Sequence, residues 1–181
     1  MTGNNRQGTQ MTDAEDAPPD PSMFPQGRFA GRSDFGELIR QSFRMAATDG
    51  CREIIICDAD FDDWPLGERS VINALGDWSR RGRKFTMLAR DYGVVIRKHP
   101  RFVTWRRTWS HLVECRASGS GLQEVLPSAM WTPQWLFERL DLERSTGISG
   151  GEPAHRVALR ERLNERLLKS VPAFPATTLG L

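Results

Sequence analysis

The sequence has no apolar run long enough to cross a lipid bilayer. Its longest unbroken apolar runs, such as residues 54–57, are far shorter than the ~20 residues that a transmembrane helix needs. Residues 1–30 also lack the basic and then apolar order of a signal peptide. We therefore expect a cytoplasmic protein with no membrane partner.

Cysteine is scarce. The chain has three cysteines, Cys51, Cys57 and Cys115, and none of them forms a Cys-x-x-Cys pair. An odd number without that spacing argues against a disulfide framework and against a zinc site. We expect reduced thiols, and we expect no cofactor.

An excess of charge of one sign is also missing. The formal net charge is +2, and residues 1–31 are slightly acidic while the remainder is slightly basic. Strongly basic surfaces are the usual mark of nucleic-acid binding. The mild excess here permits a nucleic-acid partner but does not favour one.

Hydrophobic residues are rare in residues 1–31, where Gly, Asn, Gln, Asp and Pro dominate. Such a segment cannot bury enough apolar surface to offset the entropy lost on ordering. The composition predicts a disordered tail over residues 1–31 and a single α/β domain over residues 32–181. Phe24 and Phe29 are exceptions that we expect to dock the end of the tail onto the domain.

The remainder alternates between helical and strand patterns. Apolar spacing predicts helices over residues 34–46, 70–79, 94–98, 101–110 and 157–168. β-branched and alternating runs predict strands over residues 53–57, 84–89, 111–115, 128–131, 136–140 and 143–149. The first three strands are separated by helices, which is typical of crossover connections. We therefore predict a mixed, mainly parallel sheet with helices on both faces.

Four segments carry a resemblance to a known family. They are Ile54-Ile-Ile-Cys-Asp-Ala-Asp-Phe-Asp-Asp-Trp-Pro-Leu66, Phe85-Thr-Met-Leu-Ala-Arg-Asp91, His99-Pro-Arg-Phe-Val-Thr-Trp-Arg-Arg107 and Phe174-Pro-Ala-Thr-Thr-Leu-Gly-Leu181. In these segments, and in the order of its elements, the chain resembles an uncharacterised bacterial family with a phospholipase D-like half-unit fold. The resemblance covers most of residues 33–181.

The resemblance implies a domain that lacks the catalytic motif of the active members of its superfamily. Active members of the phospholipase D superfamily carry His-x-Lys, in which the His attacks a phosphodiester and the Lys neutralises developing charge. None of the three histidines, His99, His111 and His155, is followed by a lysine two residues later. We expect a non-catalytic domain with a binding or regulatory role. Because two half-units usually face each other in that fold, the resemblance also implies a homodimer or a protein partner.

An acidic loop follows the first strand. Asp58, Asp60 and Asp62 lie where open α/β sheets place ligands, and Arg90 and Asp91 follow the next strand. One hypothesis is a magnesium-dependent phosphoryl-transfer site with Asp58 as nucleophile or ligand and Asp60 as its acid partner, because hard cations prefer oxygen ligands. The alternative is a solvated loop whose carboxylates accept hydrogen bonds from turn amides. The identity of any metal is left open.

A second candidate site is basic and aromatic. Arg101, Arg106 and Arg107 alternate with tryptophans over residues 101–109, and residues 80–84 form a basic turn. Such a mixture can bind a phosphate backbone and stack bases, which makes nucleic-acid binding a further hypothesis. Phe102, Trp105 and Trp109 also share one helical face, and this spacing favours a stripe that packs into the core.

Overall fold

The chain folds around one eight-stranded mixed β-sheet. The computed structural model describes residues 23–118 and 125–176. The strands are β1 (Gly27–Ala30), β2 (Glu53–Cys57), β3 (Lys84–Ala89), β4 (Val113–Ser118), β5 (Ser128–Trp131), β6 (Leu136–Asp141), β7 (Thr146–Gly150) and β8 (Ser170–Pro172). They lie side by side in the order β1-β7-β6-β5-β2-β3-β4-β8.

Helices cover both faces of this sheet, as the sequence predicts. They are α1 (Arg32–Thr48), α2 (Arg69–Ser79), α3 (Gly93–Lys98), α4 (Pro100–Thr108) and α5 (Pro153–Leu168). The break between α3 and α4 falls at Pro100, which takes the first position of α4 because it has no N–H to donate. No helix within the described ranges is long and apolar enough to span a membrane.

The prediction of a mainly parallel sheet is wrong. Only the β2–β3 and β3–β4 pairs are parallel, and the other five neighbouring pairs are antiparallel. The loops over residues 132–135 and 142–145 are too short for a crossover, so β5, β6 and β7 must form a meander. The helical crossovers are confined to the β2–β3–β4 part of the sheet.

Two short strands fall in segments where the sequence predicts none. β1 lies inside the predicted tail and pairs with β7 from Gly27↔Ser149 to Ala30↔Thr146. β8 follows α5 and pairs with β4. The ordered fold therefore begins before residue 32, and Phe29 packs into the core as expected. Residues 1–22 lie outside the described residues, so a disordered tail remains a prediction for them.

The two faces bury unequal cores. Helices α1, α2 and α4 cover the larger core, which contains an aromatic group of Phe29, Phe35, Trp64 and Phe137. Helix α5 packs Leu159 and Leu163 against the opposite face. We call the side of the sheet where β2, β3 and β4 begin its amino end, and the side where they finish its carboxyl end.

Candidate functional site

Asp58 lies at the carboxyl end of β2, but its carboxylate is already occupied. Oδ1 accepts hydrogen bonds from the backbone amides of Asp60 at 3.2 Å and Phe61 at 3.1 Å. Oδ2 accepts from Trp64 Nε1 at 3.0 Å and from Arg139 Nη2 at 3.2 Å. The residue is 4% exposed. Asp58 therefore holds the loop together and offers no free oxygen to a substrate.

Arg139 is the partner that sequence reasoning missed. Its Nε donates to Ser128 Oγ at 3.1 Å, and its Nη atoms donate to Asp58 and Asp63. The guanidinium carbon lies 4.1 Å from the centroid of the Phe35 ring. A buried charge is tolerated only when it is paired and hydrogen-bonded in this way. The acidic partners lie 81 and 76 positions earlier in the chain, so no local pattern signals the network.

The other acidic candidates do not converge on a common point. Asp60 Oδ1 accepts the backbone amide of Asp62 at 3.0 Å. The ammonium group of Lys98 pairs with Asp62 and lowers the pKa of that carboxyl. Throughout residues 23–118 and 125–176, no three His, Cys, Asp or Glu side chains are grouped so that they could hold a metal ion.

Arg90 and Asp91 lie beside the acidic loop without completing a site. The backbone amide of Arg90 donates to the Ala59 carbonyl oxygen at 2.9 Å, which brings the loop after β3 next to the loop after β2. Arg90 itself is exposed. Asp91 Oδ1 accepts the Gly93 amide at 2.9 Å and so orders the start of α3.

The three arginines of α4 point in different directions. Arg101 is exposed and donates to the Gly67 carbonyl oxygen at 3.1 Å, and Arg107 is exposed at the last turn. Arg106 is only 6% exposed, with its guanidinium carbon 5.4 Å from the Phe174 ring centroid. Its Nε and Nη1 atoms have no hydrogen-bond partner within the described chain. Arg106 follows Phe102 by one helical turn and shares its buried face, so the prediction that these arginines form one anion site is not met at Arg106.

A different group of arginines comes together at the amino end of the sheet. We define this basic rim as Arg44, Arg52, Arg80, Arg81 and Arg83. Arg44, Arg80 and Arg81 line a groove of about 320 Å³ between α1 and α2, with Asp77 as its acidic member. The backbone amides of Arg83 and Lys84 both donate to the Arg52 carbonyl oxygen, at 2.8 and 3.1 Å. The turn over residues 80–83 contributes three of these arginines, whereas Arg44 and Arg52 join them only through the fold.

Much of the charge on the basic rim is not neutralised. Arg80 pairs with Asp77 at 3.7 Å and Arg44 with Glu37 at 3.8 Å, and the side chains of both pairs are exposed to solvent. Arg52, Arg81 and Arg83 are exposed and take part in none of the ion pairs found among the described residues. Three guanidinium groups are therefore available to an anionic partner.

The turn that carries the basic rim is held rigidly. Trp78 Nε1 donates to the Cys51 carbonyl oxygen at 2.6 Å, and the Gly82 amide donates to the Trp78 carbonyl oxygen at 2.7 Å. A Cβ atom at Gly82 would lie 2.4 Å from the Trp78 ring. Glycine is thus needed at this position because the backbone of the turn lies directly on the indole.

Comparison with known proteins identifies a fold but no family. No protein-family model matches the chain, and no curated protein does. Among solved structures, the chain is similar to TrmBL2, an archaeal chromatin protein whose structure shows a novel mode of DNA binding. The match has a TM-score of 0.60 and 17% sequence identity, and it covers 89% of this chain and 57% of that chain. The chain thus shares the mixed α/β fold of a region that makes up little more than half of TrmBL2.

Proposed function

We propose that the domain is a non-catalytic nucleic-acid-binding module that binds backbone phosphates along its basic rim. The observation that carries the proposal is the cluster of exposed arginines at the amino end of the sheet, three of which have no ion-pair partner in the described chain. An arginine presents a planar fork of donors that matches phosphate geometry. Contacts of this kind give affinity without reading sequence.

The fold likeness supports the same proposal. TrmBL2 is a DNA-binding chromatin protein, and a shared fold raises the expectation of a shared partner class, although function must be argued from the site. The basic rim supplies that site. It also lets a chain of low net charge bind phosphates, because the fold groups the five arginines of the basic rim at the amino end of the sheet.

The phospholipase D-like half-unit remains part of the proposal. It is supported by the β2-α2-β3-α3-α4-β4 segment, where the parallel strands and their crossover helices lie. The absence of His-x-Lys from the sequence supports a role without phosphodiester chemistry. The magnesium-dependent phosphoryl-transfer hypothesis is not favoured, because both oxygens of Asp58 are bound within the protein.

Charge removal at the two ends of the sheet tests the proposal. One variant replaces Arg52, Arg81 and Arg83 with alanine. Its control replaces Arg32, Arg69 and Arg144 with alanine. All three are exposed at the carboxyl end of the sheet, where Arg32 and Arg69 begin α1 and α2 and Arg144 lies in the loop between β6 and β7. The two variants have the same net charge, so a general electrostatic effect would weaken both equally.

We expect the basic-rim variant to bind a fluorescent oligonucleotide at least ten-fold more weakly than the wild type, measured by anisotropy. The slope of log K against log salt should also become shallower by about 0.7 to 0.9 for each phosphate that the variant no longer binds. The control should stay within about two-fold of wild type, since each exposed charge outside the site adds only a weak screened term. Equal weakening in both variants, or an unchanged basic-rim variant, would contradict the proposal.

A further inference from the structure

Trp109 differs from every other tryptophan of the chain. The other five tryptophans each donate the indole N–H to a protein acceptor: Trp64 to Asp58, Trp78 to Cys51, Trp105 to Ser79, Trp131 to Arg156 and Trp135 to Pro25. Trp109 makes no such bond within residues 23–118 and 125–176, and it is only half-buried. Its ring lies 5.9 Å from the His111 ring, tilted by 44°. The fold thus packs Trp109 partly against the larger core but gives its indole N–H no protein acceptor among the described residues.

Trp109 lies at a groove of about 340 Å³ between α2 and α4. The floor is apolar, with Ile72 on one side and Trp105 beneath, while the hydroxyls of Thr104 and Thr108 stand along α4. An added Cβ at Gly76 would meet nothing within 4 Å, so the wall formed by α2 is open. The volume falls within the usual range of ligand sites, about 300–1,000 Å³.

The groove adjoins the basic rim. The Leu112 amide donates to the Trp109 carbonyl oxygen at 2.9 Å, and the Phe85 amide donates to the Leu112 carbonyl oxygen at 2.8 Å. The turn that contains Trp109 therefore lies beside the start of β3, directly after Arg83. Neighbouring strands are about 4.8 Å apart, so the backbone of this turn and the backbone that carries Arg83 lie side by side at the amino end of the sheet. Gly76 of the groove is also followed directly by Asp77, which lines the groove of the basic rim.

We propose that the basic rim binds single-stranded nucleic acid and that Trp109 stacks on one of its unpaired bases in the groove between α2 and α4. The inference rests on the proposed function and specifies its substrate. In a duplex, base faces are covered by their neighbours and only base edges reach the grooves. A single strand offers free base faces to an aromatic platform while its phosphates run along a basic surface.

The test compares one oligonucleotide of about 20 nucleotides, longer than the ~4–16-nucleotide sites of known single-strand-binding folds, as a single strand and as a duplex. The proteins are the wild type, Trp109→Ala and Trp109→Phe, each checked for a native melting temperature. We expect the wild type to prefer the single strand. Trp109→Ala should bind the single strand about 5- to 150-fold more weakly, the range that one stacked base contributes, and Trp109→Phe should keep most of the affinity.

Intrinsic fluorescence provides a second measurement that does not depend on the alanine variant. The single strand should quench wild-type tryptophan emission, and Trp109→Phe should abolish most of that quenching, since the other indoles are buried. Equal single-strand and duplex affinity, or quenching that persists in Trp109→Phe, would overturn the inference while leaving phosphate binding by the basic rim intact. Failure of the wild type to bind either form would instead overturn the proposed function.

Discussion

At the scale of single residues, the acidic loop shows how an aspartate placed like a catalytic group can instead stabilise the fold. Asp58 follows a buried strand, as a catalytic aspartate does in many α/β enzymes, and the loop contains three further aspartates. Its neighbour in space is Arg139, a residue from β6. An arginine between Glu138 and Leu140 gives no local sign that its guanidinium is buried, so this pairing could not be predicted from the sequence.

Removing the Asp58 charge should destabilise the fold. Asp58→Asn leaves a buried guanidinium with less compensation, and breaking a buried pair costs about 3–5 kcal/mol. We expect a decrease of about 3 kcal/mol in the free energy of unfolding, at the lower end of that range because Asp63 also pairs with Arg139. Urea denaturation measures the change.

Asp60→Asn is the matched control for this substitution. Asp60 is half-exposed and its carboxylate accepts one loop amide, so we expect a decrease below about 1 kcal/mol. Oligonucleotide binding should be retained by both variants under native conditions. An Asp58→Asn protein as stable as the wild type would refute the structural role and return the carboxylate to consideration as a catalytic group.

At the scale of elements, most helices and strands could be predicted, but their pairing could not. The predicted strands over residues 53–57, 84–89 and 128–131 coincide with β2, β3 and β5, because β-branched and apolar runs specify them locally. β1 and β8 have four and three residues and bury one side chain each, which gives no apolar pattern that marks a strand. That β5 lies next to β2 depends on pairing between residues about 75 positions apart, which local patterns do not encode.

Two glycines near the end of α2 should respond in opposite ways to alanine. Gly82→Ala places a methyl group against the Trp78 ring at 2.4 Å, so we expect a decrease of about 1–3 kcal/mol in stability, the usual cost of overpacking. Gly76→Ala meets no atom within 4 Å inside α2, and it should stabilise the protein by up to about 1 kcal/mol through helix propensity.

Urea denaturation of the two variants at neutral pH measures both effects. Because Gly82 sets the path of the turn over residues 80–83, Gly82→Ala should also weaken oligonucleotide binding by displacing Arg81 and Arg83. If Gly82→Ala proved as stable as Gly76→Ala, the close approach of the turn to the Trp78 indole would be disproved.

At the scale of the whole molecule, buried thiols and a buried phenol make the stability of the fold depend on pH in the alkaline range. Burial raises the pKa of the Cys51 thiol to about 11, and burial likewise raises the pKa of Cys57, Cys115 and Tyr92. An unfolded thiol ionises near pH ~8.5. Below that pH both states hold the proton. Above it the unfolded state releases the proton first, so the stability from these groups is lost as the pH rises.

We expect the free energy of unfolding to fall between pH ~8.5 and 11, by at most about 1.4 kcal/mol per pH unit for each thiol. Urea denaturation in the presence of a reductant at several pH values measures this slope. Cys51→Ala should reduce this slope by about the contribution of one thiol. A free energy of unfolding that stayed constant over this range would show that the thiols are accessible to water in the folded protein.

At the same scale, the fold brings together arginines that are distant in the sequence. In a chain of net charge +2, the fold groups the five arginines of the basic rim at the amino end of the sheet, opposite the end where α/β ligands usually bind. Composition therefore made nucleic-acid binding the less favoured hypothesis, and only the fold brings Arg44 and Arg52 to the basic turn. A homodimer, implied by the phospholipase D-like resemblance, stays a prediction.

The most direct test of phosphate binding is a salt titration of the wild-type protein with a single-stranded oligonucleotide. If three to five arginines of the basic rim bind phosphates, log K should fall linearly with log salt with a slope of about −2 to −3.5, since each bound phosphate contributes about −0.7. That slope, made shallower by about 2 in the Arg52, Arg81 and Arg83 variant, is the result that the account predicts. Affinity that does not change with salt, or no binding at the lowest salt concentration, would contradict it.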